Sequence, residues 1–300
     1  MNKYVGAVLR DAHLVVGVTL ASEMCHRAQE VHKLGTTSAV ALGRLMIATV
    51  LTSHSHRRTG ALSFQVMAQG RLHQAFADIT SDGNVRGFVR PADLAMPPLS
   101  EAERLGRRSI AHAVGAGLLS AIRTPDSGDF TQSTTELLSG EIDADVEHFV
   151  TTSDQIPTAL VADVLLDTDG KVHHAGGVIV QGMPHADLAV LANLRYELAE
   201  GRFAASLSAH TDGADSLLTA LFPQAEITEA AEVRFKCRCS KQRVLAAMAL
   251  LDVADIADLA NGKEPAEVGC DFCGTTYSVS PDDFKGVFDA VLQAAKASQN

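Results

Sequence analysis

Phe235-Lys236-Cys237-Arg238-Cys239-Ser240 and Gly269-Cys270-Asp271-Phe272-Cys273-Gly274 carry four of the five cysteines of this chain, with thirty residues between the pairs. Two close-set cysteine pairs joined by an insert of helix length can bring four sulfurs to one tetrahedral centre, as a closed zinc site requires. The glycines on either side of the second pair permit the tight turn that points both of its sulfurs inward. The first pair is shorter than the usual half-site. A single intervening residue suits a bent strand end and keeps two sulfurs within bonding reach of each other without a metal. Cys237, Cys239, Cys270 and Cys273 are therefore the expected ligands of one Zn2+, and the spacing of the first pair suggests redox chemistry besides.

Working outward, the segment from Phe235 onward forms a module of about 65 residues, a size at which apolar burial alone stabilises weakly. Val244, Leu245, Met248, Leu251, Ile256 and Leu259 are placed to line a helix and a short helical turn between the pairs. Thr275 to Ser280 suits a strand, and Pro281-Asp282-Asp283 opens a last helix. Structural zinc contributes roughly 10–16 kcal/mol to peptide-sized domains, against about 5–15 kcal/mol for the whole stability of ordinary ones. Metal loss is thus expected to unfold the module.

Zinc holds its ligands as thiolates, the form that oxidants attack. Oxidation runs through sulfenic acid to a disulfide where a second thiol is near, and pairing within each motif, Cys237 with Cys239 and Cys270 with Cys273, requires little movement. Arg234, Lys236, Arg238, Lys241 and Arg243 surround the first pair with positive charge. Three readings of that charge stand at this point: a collar that favours thiolate in a redox sensor, a nucleic-acid patch on a zinc ribbon, and a solvated face.

The chain has 300 residues, a hydrophobic fraction of 46% and a formal net charge of −11. These values suit a soluble protein of about two domains and disfavour broad nucleic-acid or anionic-membrane binding. The most apolar run, Ser38 to Thr52, is interrupted by Arg44, and Met1-Asn2-Lys3-Tyr4 does not open a signal peptide. A cytoplasmic location is expected, where thiols stay reduced and cysteine clusters bind metal.

The fold class expected is α/β (α+β): a mixed α/β N-terminal domain over 1–184, a metastable helical linker over 185–234 and a small zinc-binding C-terminal domain over 235–300. Strands are expected at Tyr4 to Leu9, Leu14 to Thr19, Leu62 to Ala68, Leu72 to Ile79, Val85 to Val89, Thr158 to Leu166 and Val172 to Gln181. Helices are expected at Ala21 to Leu34, from Thr36 to about Ser53, and at Glu141 to Thr151. Pro91 to Arg108 reads as a long loop, and Ile110 to Ile122 is open between strand and helix. The linker is rich in Ala, Leu and Glu, with helical stretches at Asp187 to Glu200 and Ala214 to Leu221. Few large residues are available there to anchor a deep core.

No catalytic set emerges. GxSxG, a complete GxxxxGK[ST] and HExxH are absent, and Gly115-Ala116-Gly117 lacks the third glycine of a dinucleotide fingerprint. His54-x-His56 and His173-His174 have no evident carboxylate or cysteine partner. Gly176-Gly177 reads as close backbone packing, and Cys25 as a buried structural thiol. An enzyme is not expected.

The paired-cysteine motif, with Glu267-Val268 before Cys270 and Tyr277 after Cys273, resembles the redox-regulated chaperones of the heat shock protein thirty-three family. Thr37-Ser38-Ala39 through Leu42-Gly43-Arg44-Leu45, Gly83-Asn84-Val85-Arg86-Gly87-Phe88, Ser139-Gly140-Glu141-Ile142, Ser153-Asp154-Gln155-Ile156-Pro157 and Ala175-Gly176-Gly177 with Gln181 extend the likeness over nearly the whole chain. The resemblance implies an ATP-independent holdase, inactive while its four cysteines coordinate zinc. It implies that oxidation forms the disulfides Cys237–Cys239 and Cys270–Cys273, expels zinc and loosens the linker. Apolar surface then opens, the chain forms a homodimer, and unfolding client proteins are held until other, ATP-dependent chaperones take them.

Overall fold

A computed structural model describes residues 2–55, 60–96 and 107–297, with side chains to 293. It divides into two compact units, Met1–Lys236 and Cys237–Asn300.

The first unit holds two sheets. One has the order β10-β1-β2-β9-β8, from Glu226–Glu232, Lys3–Leu9, Leu14–Leu20, Val172–Gly182 and Thr158–Leu166. Its strands are antiparallel throughout. The other has the order β11-β5-β4-β3-β6-β7, from Arg234–Phe235, Asn84–Arg90, Gln74–Thr80, Ala61–Ala68, Gly117–Thr124 and Thr131–Glu136. It too is antiparallel, except where β11 runs parallel to β5.

Helix α1 (Ser22–His32) leads into α2 (Thr36–Ser55), which lies between the sheets and touches strands of both. A helix covered on every side has no polar face to spare, and α2 is buried continuously from Thr37 to Thr52. Among the described residues it is also the one helix long and apolar enough to cross a membrane. Here 89% of its apolar window is buried inside the fold, so its hydrophobicity is used on the core.

Close packing explains the paired glycines of β9. A Cβ on Gly177 would overlap Ile47 Cγ2 of α2 and lie 2.9 Å from Leu51 Cδ1. The reading of Gly176-Gly177 as backbone approach agrees with this placement.

Arg44 sits in the middle of α2 with no exposed surface. Its guanidinium donates to Glu141 Oε2 at 2.7 Å, to Asp163 Oδ1 at 2.9 Å and to the carbonyl of Arg108 at 2.7 Å. Arg107 pairs with Asp143, in the first turn of α4 (Ile142–Thr152). Burial penalises both of those charges, yet each is held ionised by the other. A buried charge is tolerable when paired and hydrogen-bonded, and here several elements share the task.

The outer face of the first sheet is covered by α5 (Leu188–Glu197), a wide turn at Leu198–Arg202, α6 (Phe203–Ala209) and α7 (Ala214–Leu221). Leu191, Leu198, Phe203, Leu207, Leu218 and Leu221 bury against Val5, Val16, Val18, Val178 and Val180. Anchoring is therefore stronger than the composition of 185–234 suggested, because its leucines recur at helical spacing and meet a sheet face of small β-branched residues. The segment's end also differs from the helical expectation. Glu226–Glu232 is a strand, since pairing with β1 outweighs the helix preference of its alanines and glutamates.

Most expected strands and helices of the first unit form within a few residues of their expected bounds. Ile110 to Ile122 divides into a short helix α3 (Ala111–Val114) and β6. Residues 97–106 of the expected Pro91–Arg108 loop, and His56, lie outside the described residues.

In the second unit, α8 (Lys241–Met248) and α9 (Val253–Ala260) precede a hairpin of β12 (Ala266–Gly269) and β13 (Thr276–Val279), followed by α10 (Pro281–Ala297). Among the described residues its buried apolar side chains are Ile256, Ala260, Val279, Phe284 and Val287, with partly buried residues such as Val244, Leu245 and Met248 packed beside them. That is very little apolar burial for a unit of this length.

Candidate metal centre

Two backbone features present the four cysteines. Cys237 and Cys239 lie on extended chain just before α8, whose first turn is capped by Ser240 accepting from the Arg243 N–H at 3.3 Å. Cys270 and Cys273 sit in the turn of the β12–β13 hairpin. There the N–H of Cys270 bonds the Thr275 carbonyl at 2.9 Å, and the N–H of Gly274 bonds the Cys270 carbonyl at 2.8 Å. Gly274 has φ +68°, a left-handed conformation that glycine adopts without penalty. The tight turn anticipated from its glycines is thus present.

The four sulfurs all lie within 4.8 Å of one another. Cys237 Sγ is 3.7 Å from Cys270 Sγ, and Cys239 Sγ is 3.4 Å from Cys273 Sγ. Thiolates about 2.3 Å from a tetrahedral ion stand about 3.8 Å apart. The residues present therefore fit a four-sulfur tetrahedral ion, and no other group of metal-ligating side chains occurs among the described residues.

Hydrogen bonds make the sulfurs unequal. Burial, together with the neighbouring thiols, pushes Cys270 up to about 12. Burial opposes ionisation of Cys273 as well. There Thr275, whose Oγ1 lies 3.2 Å away, together with Cys239 and Cys270 outweighs it and brings the thiol to about 7. Tyr277 Oη donates to Cys239 Sγ at 3.0 Å, and that bond pushes the phenol up to about 12. Tyr277 is thus a donor to the centre. Its position in β13 opposite Val268 follows from the hairpin register, which residue spacing alone does not reveal.

The basic residues near the first pair do not act as one collar. Arg234 Nε donates to Asn84 Oδ1 at 2.8 Å within the first unit, and Lys241 pairs with Asp283 at 2.7 Å. The ion pair to Asp283 offsets the charge at one of the five basic positions, whereas Arg234, bonded to a neutral amide, keeps its own.

The other singled-out residues fall elsewhere. Cys25 is buried, with its thiol raised to about 12 by that burial, as an inert structural cysteine should be. His54 stacks on Tyr4 with ring centroids 4.4 Å apart. The rings of His173 and His174 lie 4.0 Å apart, outside any group of metal-ligating side chains found among the described residues.

Comparison with known proteins agrees with this architecture. The family model described as "Hsp33 protein" matches residues 2–280. A "33 kDa chaperonin" of Acaryochloris marina is 33% identical over 298 residues, covering 96% of each chain. One of Trichormus variabilis is 36% identical, covering 89% of each. The crystal structure of a 33 kDa chaperonin, a heat shock protein 33 homologue from Thermotoga maritima, superposes with a TM-score of 0.81 at 25% identity. That match covers 97% of this chain and 99% of the other. With both sheets, the central helix and the four-sulfur unit accounted for by a match over nearly the entire chain, this protein belongs to the Hsp33 family of chaperones.

Proposed function

We propose that this chaperone is a holdase gated by oxidation of its four-cysteine centre, acting without ATP and by binding rather than catalysis. The observation that carries the reading is the meeting of four sulfurs within 4.8 Å in a unit that buries only five apolar side chains among the described residues. In such a unit the sulfur centre is the principal crosslink, so its chemistry controls folding.

In the reduced, inactive protein Cys237, Cys239, Cys270 and Cys273 hold one Zn2+ as thiolates. When bound, that ion supplies the tetrahedral crosslink which substitutes for a larger core. Two peroxide molecules accept four electrons from the four thiolates and, with four protons, become four waters. The sulfurs become two disulfides and the ion is released. In the folded unit Cys237 and Cys239 also stand 3.7 and 3.4 Å from Cys270 and Cys273 across the motifs. As the unit opens, only Cys237–Cys239 and Cys270–Cys273 stay tethered at short range, so the disulfides form within the motifs.

Residues 185–234 act as the metastable linker between 1–184 and 235–300. Once the C-terminal domain unfolds, their helices loosen from the valine-rich face of the first sheet. Unfolding clients bind the apolar surface so opened, the chain dimerises, and reduction hands the clients to ATP-dependent chaperones. The reducing cytoplasm is where such a switch rests in its zinc-loaded state.

The test loads the protein with zinc, adds peroxide at heat-shock temperature, and follows zinc with a chromophoric chelator while thiols are counted. Release of one zinc with loss of four thiols, and suppressed light scattering from a denaturing client, is expected. Zinc retained with no suppression would end the reading.

A further inference from the structure

A sheet edge exposes backbone donors and acceptors that attract any extended chain, so folded proteins normally blunt it. Among the described residues, three of the four sheet edges in the first unit are blunted. Along β8, the N–H groups of Leu160, Ala162 and Val164 are bonded by the carboxylates of Glu147, Asp143 and Asp163 at 2.7–2.9 Å. β10 carries Glu226, Glu229 and Glu232 and meets β1 through a register shift at Gly6/Ala7. β11 is two residues long.

β7 is different. Its six residues, Thr131-Gln132-Ser133-Thr134-Thr135-Glu136, include no proline and no cation, and it pairs with β6 without a bulge. The Leu137 N–H bonds the Gly117 carbonyl at 2.9 Å, which makes Gly117 and Leu137 a hydrogen-bonded pair. Antiparallel pairs alternate, so Thr135, Ser133 and Thr131 face β6. The backbone groups of Gln132, Thr134 and Glu136 consequently point away from the sheet, and among the described residues no hydrogen bond reaches them.

Apolar side chains flank this open edge. Phe130 and Leu138, at its two ends, are 66% and 68% exposed, while Leu118 on β6 and Met67 on β3 are about half exposed in one cross-strand row. The edge is also acidic: Asp126, Asp129 and Glu136 lie between Thr124 and Ser139 with no Lys or Arg among them. Two copies pairing here would set like charges together. An extended segment that carries basic residues among apolar ones complements the edge in both charge and backbone.

We propose that the β7 edge is a strand-addition site for extended, apolar and basic segments of unfolding polypeptides. Backbone bonds to Gln132, Thr134 and Glu136 would give sequence-tolerant affinity, and Phe130 and Leu138 seat apolar side chains. The site rests on the chaperone reading for its biological partner.

The test uses the full-length, oxidised protein and a fluorescein-labelled nonapeptide of alternating valine and lysine. Anisotropy should show binding, and hydrogen exchange should show new protection at the amides of 132, 134 and 136. Thr134→Pro removes one outward N–H at an edge position where proline is tolerated and should weaken binding at least tenfold. If that variant fails to fold, exchange in the unsubstituted protein decides. No binding, binding without protection at those amides, or equal binding by a folded Thr134→Pro overturns the proposal. So does the same protection arising with protein concentration alone, which would assign the edge to a second copy. Protection by peptide without client suppression by the oxidised protein would sink the holdase reading and leave the edge. Suppression without protection would do the reverse.

Discussion

Arg44 Nη1 and Glu141 Oε2 stand 2.7 Å apart although 97 residues separate them in the chain. The bond ties the central helix to the start of α4 and stitches together two segments that read as separate motifs in the sequence. Glu141 Oε1 also accepts from the N–H groups of Ile110 and Ala111, at 3.0 and 3.3 Å. One carboxylate thus serves a buried cation and a helix start.

Glu141→Ala should accordingly be among the most damaging single changes in the first unit. It removes one partner of a buried ion pair, a loss of about 3–5 kcal/mol, and leaves two backbone donors unsatisfied. The urea midpoint of the first unit, followed by far-UV circular dichroism, is the measurement. A shift below about 1 kcal/mol would show that the network is not a stabilising element.

Acid should weaken the same region. Asp143 is held below its ordinary pKa: burial works against the charge, but Arg107 and Arg44 outweigh it. A carboxylate depressed on folding contributes stability that is fully present above its unfolded value, near 4. That stability is lost as pH falls from there through the depressed folded value. Urea midpoints from pH 6 down to pH 2 should decline chiefly below about pH 4, and Asp143→Asn should flatten that part of the curve.

Cys270→Ser or Cys273→Ser should abolish tight zinc binding and leave 237–300 disordered even in reductant, because so small a buried apolar set cannot replace the crosslink. Amide spectra of the variant would show collapsed dispersion for those residues while the first unit keeps its own. A well-dispersed second unit without metal contradicts the stability argument.

The cover on the first sheet should be separable from the core beneath it. Leu207→Ala removes a fully buried side chain between α6 and the sheet, a change of about 2–5 kcal/mol. Hydrogen exchange in 188–221 should accelerate in the reduced protein while α2 stays protected. If the variant also suppresses client aggregation without oxidant, the cover is what holds the chaperone inactive. Unchanged exchange in 188–221 would show that these helices are an integral layer of the first unit.

Much of the fold was legible in local pattern. β8 and α7 form over the residues expected for them, because β-branched runs and leucine spacing agree there with tertiary demand. β10 was not legible: its composition prefers helix, and only the free edge of β1 makes it a strand. Nor was β7, a polar run of Thr, Gln and Ser with no alternation to mark it, formed because β6 offers a partner. In the candidate metal centre, the grouping of the four cysteines was readable from spacing, whereas the bond from Tyr277 to Cys239 depends on hairpin register.

The sequence by itself determined which sulfurs meet, because ligand chemistry and short tethers act over a few residues and tolerate few alternatives. It also determined that a long apolar helix carrying one arginine had to be reconciled with its surroundings. Tertiary structure alone decided how: Arg44 finds Glu141 and Asp163 only after distant strands and helices have packed. The same holds for the sheet edges, since a strand's bareness is set by what stands beside it, and no local propensity encodes an absent neighbour.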